Sequence, residues 1–215
     1  MTKKQTKKQT KKKTKKICKK RTKKIKIIIT NPHWFCLDPQ DNICDQSSYS
    51  NSILLYDQLR DRLKSKVVLL KPPKLHRSVS DSNRGIHQNK YGIYHPSLKR
   101  FLNNIMQNLD KKPKLLLDIH SYNINNNLPF YLLYLNIGNQ KVYAENFAIN
   151  ICNKMNITYL QEMVKEGTLD NEIIKLALKR KSIEMAIIIE IYDNNSNFTQ
   201  KLLNDSIKET VLDFI

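Results

Sequence analysis

The chain has 215 residues, which is enough for one domain with a substantial hydrophobic core. Its formal net charge of +19 comes mostly from one end, because residues 1–26 hold 15 of the 38 Lys and Arg residues and no acidic residue. The remaining 23 basic and 19 acidic residues give the balance of an ordinary globular domain. No apolar run approaches the roughly 20 residues that span a bilayer, which argues against a transmembrane segment.

Residues 1–24 form a lysine-rich tail that is predicted to be disordered. Its near-repeats of Thr-Lys-Lys-Gln offer little apolar surface to bury, and their like charges repel one another. The tail fits a nuclear-import signal or non-specific contact with nucleic acid or another acidic surface, and it equally fits a solubilising extension. It contains no aromatic residue to stack on bases, which argues against sequence-specific reading.

The first apolar stretch, at 25–29, is too short for the apolar region of a signal peptide. We therefore expect an intracellular protein, either cytoplasmic or nuclear, that has no signal peptide. In such a compartment its cysteines are expected to be reduced thiols.

Residues 25–215 are predicted to form a single domain. In chain order the sequence predicts a strand at 25–30, a helix at 47–64, a strand at 67–70, a polar loop at 74–95, a helix at 96–109, strands at 114–122 and 129–137, helices at 142–155 and 170–180, a strand at 186–192 and a helix at 200–214. Strands alternate with helices, and several strands are continuously apolar. This pattern predicts a three-layer α/β/α fold of the phosphorylase/hydrolase-like type, with a central mixed, mostly parallel sheet.

Polar side chains occur at or beyond the ends of four predicted strands, where ligands bind in such sheets. They are, in chain order, His33, then Arg77, Asn83 and Arg84, then Asp118 and His120, and finally Glu190. A catalytic zinc ion takes three protein ligands and leaves one position open for water. His33 and His120 are the natural pair of ligands.

The third zinc ligand has two candidates, Cys36 and Asp45. Asp118 lies two residues before His120, and instead of binding the metal it would accept a hydrogen bond from His120 and so orient the imidazole. Glu190 is a single carboxylate in an apolar strand, where burial should raise its pKa and suit it to proton transfer.

Four segments resemble the N-formylglutamate amidohydrolase family. They are Pro-His at 32–33, Arg-Ser-Val-Ser-Asp-Ser-Asn-Arg at 77–84, Leu-Leu-Leu-Asp-Ile-His-Ser at 115–121 and Ile-Ile-Ile-Glu-Ile at 187–191. That family is related to zinc carboxypeptidases and to the succinylglutamate desuccinylase–aspartoacylase group. The resemblance implies a zinc-dependent hydrolase that cleaves an amide or peptide bond in a small carboxylate-bearing substrate.

Carried over by position, the resemblance assigns a role to each polar residue. His33 and His120 would bind one Zn²⁺, Glu190 would act as general base, and Asn83 and Arg84 would hold the substrate carboxylate. Because a guanidinium group donates paired hydrogen bonds to a carboxylate, Arg77 is expected to bind that carboxylate together with Arg84.

An alternative is a binding protein with a degenerate hydrolase fold that acts through its polybasic tail on nucleic acid or an acidic surface. Two features favour it. Zinc carboxypeptidases have His-x-x-Glu as their first two ligands, whereas the fourth position here is Cys36, and glycines are sparse in this chain.

Overall fold

The computed structural model describes residues 25–33, 45, 47–74, 96–124, 127–168 and 171–215. The lysine-rich tail and most of the predicted loop at 74–95 lie outside these residues. In chain order the elements are β1 (Ile27–Thr30), α1 (Ser48–Leu63), β2 (Val67–Leu70), α2 (Pro96–Leu109), β3 (Leu115–Tyr122), β4 (Phe130–Tyr134), α3 (Gln140–Met155), β5 (Val164–Glu166), α4 (Glu172–Leu178), β6 (Met185–Tyr192) and α5 (Asn197–Phe214).

The strands form one mixed sheet in the order β2-β1-β3-β6-β4-β5. β2, β1, β3 and β6 run parallel, β4 runs antiparallel to β6, and β5 runs parallel to β4. The predicted three-layer fold with a mixed, mostly parallel sheet is confirmed. β3 and β6 occupy the centre of the sheet and pair along their whole length.

Helices cover both faces of this sheet, which explains why its central strands are continuously apolar. Leu117 and Ile119 of β3 belong to the apolar cluster that includes α1, α3 and α5. Leu116, on the opposite face, belongs to the cluster that includes α2 and α4. Because side chains alternate along a strand, Asp118 and His120 follow Leu116 on this α2–α4 face. Polar side chains therefore replace apolar ones towards the carboxyl end of β3.

Side-chain caps set the start of two helices. Asn171 precedes α4 and accepts a hydrogen bond from the backbone N–H of Ile174, and Ser196 precedes α5 and accepts one from Thr199. The predicted helix at 200–214 therefore begins three residues too late. Helix α2 matches its prediction, and its buried apolar side chains have spacings of three and four, namely Leu98, Phe101, Ile105 and Leu109.

Two differences concern the outer part of the sheet. The predicted strand at 129–137 ends at Tyr134, because the chain then turns: the N–H of Ile137 donates to the carbonyl of Leu135, and Gly138 takes a φ of +59°. β5 was not predicted at all. Within the described residues, none of the helices combines the length and the apolar composition needed to cross a bilayer.

Candidate metal centre

Three buried side chains converge at the carboxyl end of the parallel strands. They belong to His33, Asp45 and His120, and one potential ligand atom from each lies within 4.8 Å of the others. Oδ2 of Asp45 is 2.8 Å from Nδ1 of His120 and 3.5 Å from Nδ1 of His33. The two imidazole rings meet edge to face, with centroids 5.0 Å apart. All three side chains thus point towards one small volume.

Local backbone contacts bring Asp45 to the two histidines. Its N–H donates to the carbonyl of His33 at 3.1 Å, which fixes it beside the chain that leaves β1. Its own carbonyl accepts hydrogen bonds from the backbone and the hydroxyl of Ser48 in the first turn of α1. The N–H of Ser47 lies 3.0 Å from Oδ1 of Asp193 and 3.3 Å from Oγ of Ser121. The start of α1 is therefore tied to the ends of β3 and β6.

Asp118 lies behind His120 and is fully buried. Its Oδ2 is 3.1 Å from Nε2 of His120 and accepts a hydrogen bond from Nδ2 of Asn171 at 3.3 Å. Its Oδ1 accepts a hydrogen bond from the hydroxyl of Thr30 on β1. This arrangement favours an Nε2–H that donates to Asp118 and leaves Nδ1 of His120 facing Asp45. It is the pattern by which a carboxylate orients a metal-binding histidine.

The pKa values of Asp45 and His120 are shifted in the directions that favour an ionised carboxylate and a positive charge beside it. Burial alone would raise the pKa of Asp45, but His120 and His33 outweigh it and hold that pKa well below the usual range. Burial alone would lower the pKa of His120, but Asp118 and Asp45 raise it well above the usual value. Without a metal, the pocket therefore holds a proton on His120 against an ionised Asp45.

Glu190 lies beside this group on the central strand β6. It is in register with His120 of β3, so the two side chains emerge on the same face of the sheet. Burial raises its pKa to about 7; His120 opposes this shift and Asp45 adds to it. Within the described part of the chain, the Glu190 carboxylate makes no hydrogen bond or ion pair. It is thus a half-buried carboxylate poised to exchange a proton near neutral pH.

The three converging side chains fit a zinc ion. Two imidazole nitrogens and one carboxylate oxygen form a ligand set that zinc takes in catalytic sites. Tetrahedral zinc with ligands at about 2 Å would separate ligand atoms by roughly 3.3 Å, and the separations of 2.8 and 3.5 Å lie on either side of that value. Oδ2 of Asp45 is buried and lacks a hydrogen bond of acceptable geometry among the described residues.

The structure brings together four of the residues that were predicted from the sequence, namely His33, Asp45, His120 and Glu190. Cys36, the other predicted candidate for the third ligand, lies outside the described residues, as do Arg77, Asn83 and Arg84. Their roles therefore stay predictions.

Two residues that support Asp118 were not predicted from the sequence. Thr30 and Asn171 both hold Asp118, from β1 and from the start of α4 respectively. Asn171 precedes an apolar helix and could have been recognised as its cap. Its contact with β3, however, depends on how α4 packs on the sheet.

Comparisons with known proteins find likeness in structure but not in sequence. No protein-family model matches the sequence, and no curated protein matches it. The CwlD amidase of Clostridioides difficile, solved in complex with the GerS lipoprotein, has a TM-score of 0.53 and 14% identity over 88% of this chain and 98% of that chain. The N-acetylmuramoyl-L-alanine amidase AmiC2 of Nostoc punctiforme has a TM-score of 0.50 and 11% identity over 89% and 97% of the two chains.

A candidate metallopeptidase from Shewanella amazonensis has a TM-score of 0.55 and 10% identity over 88% of this chain and 76% of that chain. The shared fold is one found in amidases. At these identities the likeness shows the fold alone. The narrower resemblance to N-formylglutamate amidohydrolases is not shown by these comparisons and stays a prediction.

Proposed function

We propose that this protein is a zinc-dependent hydrolase of an amide or peptide bond in a carboxylate-bearing substrate. The observation that carries the proposal is the convergence of His33, Asp45 and His120 next to Glu190, at the sheet edge where ligands bind in such folds. The fold it shares with proteins named as amidases supports the same class of reaction.

Each side chain at the centre has a distinct part in the proposed reaction. His33, Asp45 and His120 hold the ion, which when bound polarises the substrate carbonyl and acidifies water. Asp118 keeps the His120 ring oriented through Nε2. Glu190 takes a proton from the attacking water and delivers it to the leaving nitrogen, a transfer that burial favours by raising the pKa of this carboxylate.

The proposed carboxylate in the substrate rests on the sequence. Arg77, Asn83 and Arg84 supply two guanidinium groups and an amide, which bind carboxylates through several hydrogen bonds at once. Two probes represent the two resemblances of this chain: N-formyl-L-glutamate, from the sequence, and an N-acetylmuramoyl-L-alanine peptide, from the fold.

The proposal is tested by assaying the zinc-loaded full-length protein on both probes, then after removal of zinc with dipicolinate, and again after zinc is restored. We expect turnover of at least one probe, its loss with the metal and its recovery on reconstitution. Hydrolysis that persists without zinc would contradict the metal dependence. Stoichiometric zinc without turnover of either probe would contradict the proposed substrate class.

A second candidate function rests on the charge of residues 1–24. In that case the domain is an inactive hydrolase fold, and the tail binds nucleic acid or another acidic surface. Binding of a random duplex DNA would then fall steeply with salt and disappear when residues 1–24 are deleted. Zinc binding and turnover that survive the same deletion would assign the chemistry to the domain and favour the hydrolase.

A further inference from the structure

A row of polar side chains continues from the metal centre across the sheet. Glu190 of β6 is in register with His120 of β3 on one side and with Tyr131 of β4 on the other. On the neighbouring strand β5, Lys165 is in register with Leu133, which lies on the same face of β4 as Tyr131. These four polar side chains therefore share the α2–α4 face of four adjacent strands.

Exposure increases along this row with distance from the metal centre. His120 is buried, Glu190 and Tyr131 are half-buried, and Lys165 is exposed. Within the described residues, the row thus leads from the buried ligands to solvent.

Lys165 is held in place by an aromatic ring. Its Nζ lies 4.6 Å from the centroid of the Tyr131 ring, within the range of a cation–π contact. No acidic side chain of the described residues forms an ion pair with it. Its ammonium is therefore positioned by the ring, while its charge remains available to an anion from solvent.

The Tyr131 ring is itself supported by its neighbours. The Tyr122 ring lies 4.9 Å from it, and the Tyr192 ring lies 5.4 Å from that of Tyr122. Burial, together with the charge of Glu190, raises the pKa of Tyr131 above its usual value. Like an ordinary tyrosine, its phenol is neutral near pH 7 and adds no negative charge that would repel an anionic substrate.

We propose that Lys165, held over Tyr131, binds a further carboxylate of the substrate, distinct from the one assigned to Arg77, Asn83 and Arg84, on the β5 side of the scissile amide. The inference rests on the proposed function and adds a specificity-determining residue to it. Tyr131 lies two strand spacings from His120, or roughly 10 Å, so the bound carboxylate is separated from the scissile carbonyl by the length of two to three extended residues. The substrate class is thus an acidic peptide or a similarly long acyl chain.

The experiment measures binding of two hydroxamates to the zinc-loaded full-length protein by calorimetry. One is suberic acid monohydroxamate, which carries a carboxylate at the far end of its chain, and the other is its neutral carboxamide. We expect the carboxylate to bind about fivefold tighter, as an exposed ion pair allows, and this advantage to shrink as salt is added.

Substitutions at Lys165 and Tyr131 test whether these residues cause the tighter binding of the carboxylate. Lys165→Met should abolish it and Lys165→Arg should retain it. Tyr131→Phe should also retain it, whereas Tyr131→Leu, which removes the ring under the ammonium, should reduce it. Lys201→Met is the matched control, because Lys201 is an exposed lysine on α5, whose apolar side packs against the opposite face of the sheet.

The outcomes separate this inference from the function on which it rests. Equal binding of the two hydroxamates to the wild type, or an advantage that persists in Lys165→Met, would overturn the inference and leave the metal centre intact. Failure of both hydroxamates to bind would remove the metal centre and the inference with it.

Discussion

His120 is placed between two carboxylates, with Asp45 on Nδ1 and Asp118 on Nε2. One contact fixes the ring, and the other faces the position where a metal would lie. A single imidazole is thus anchored to the sheet through Nε2 and directed at the candidate metal position through Nδ1, where a proton would compete with a metal ion.

This competition predicts that zinc affinity depends on pH. The pKa of His120 is raised well above its usual value, so His120 is protonated in the metal-free protein at neutral pH and zinc must displace that proton. Below the raised pKa, affinity should fall by about tenfold per pH unit for each proton displaced. Calorimetry in two buffers of different ionisation enthalpy measures the released proton, and affinity that is constant across neutral pH would contradict the prediction.

Glu190 is predicted to carry the proton transfer. Glu190→Gln should keep wild-type zinc content and lower kcat by about 10²- to 10⁴-fold. In the wild type only the ionised carboxylate accepts a proton, so kcat/KM should rise with pH as Glu190 ionises, below the pKa of about 7 that it has without zinc, because a bound cation favours the carboxylate. Glu166→Gln, on the exposed strand β5, is the matched control. Wild-type turnover in Glu190→Gln would remove Glu190 from this role.

The same carboxylate is predicted to destabilise the metal-free protein at high pH. The folded-state pKa of Glu190, about 7, lies above the usual 4.5, so stability falls as pH rises between these values. Metal-free Glu190→Gln should therefore melt about 5 to 10 °C above the wild type at about pH 8, and at nearly the same temperature at about pH 4. Thermal unfolding at both pH values checks this, and a lower Tm for the variant at high pH would contradict it.

At the level of residues, the sequence identified several side chains of the candidate site but not which of them lie in contact. His33, His120 and Glu190 could be selected because each follows or interrupts an apolar strand. Cys36 and Asp45 could not be separated, because both follow His33 closely and the sequence does not indicate that the N–H of Asp45 donates to the carbonyl of His33. Lys165 was missed because its relation to the centre depends on sheet register, which one sequence does not encode visibly.

At the scale of elements, the start of α4 couples helix stability to the metal centre. The side chain of Asn171 accepts a hydrogen bond from Ile174 and donates one to Asp118. One residue therefore caps the helix and also holds the carboxylate that orients His120.

This coupling predicts two separable effects of substitution. Asn171→Ala should lower the free energy of unfolding by about 1 kcal/mol through loss of the cap, and weaken zinc binding by about tenfold through loss of the contact with Asp118. Ser196→Ala removes the cap of α5 and should cost similar stability without affecting zinc. Chemical denaturation and zinc titration measure the two effects, and equal zinc affinity in both variants would contradict the coupling.

Strongly patterned elements were predictable and weakly patterned ones were not. The buried side chains of α2 recur at helical spacing, and β3 begins with three consecutive leucines, so each is identified by its own sequence. β5 has three residues, Val-Lys-Glu, with no apolar pattern. It forms a strand because β4 offers it a hydrogen-bonding edge, a cause that lies elsewhere in the chain.

At the scale of the whole molecule, the sheet order β2-β1-β3-β6-β4-β5 determines which polar residues meet. It places β6, from near the end of the chain, between β3 and β4, and thereby brings Glu190 beside His120. The alternation of strands and helices predicts the layers, whereas the strand order depends on packing between distant segments.

The central claim is that His33, Asp45 and His120 hold one zinc ion, and zinc stoichiometry tests it most directly. Mass spectrometry of the purified, folded protein should find about one zinc per chain in the wild type and in Cys36→Ser. Zinc should be lost in Asp45→Ala and His120→Ala while both variants keep the wild-type far-UV circular dichroism spectrum. A wild type without zinc, or zinc that is kept in Asp45→Ala and lost in Cys36→Ser, would contradict the account.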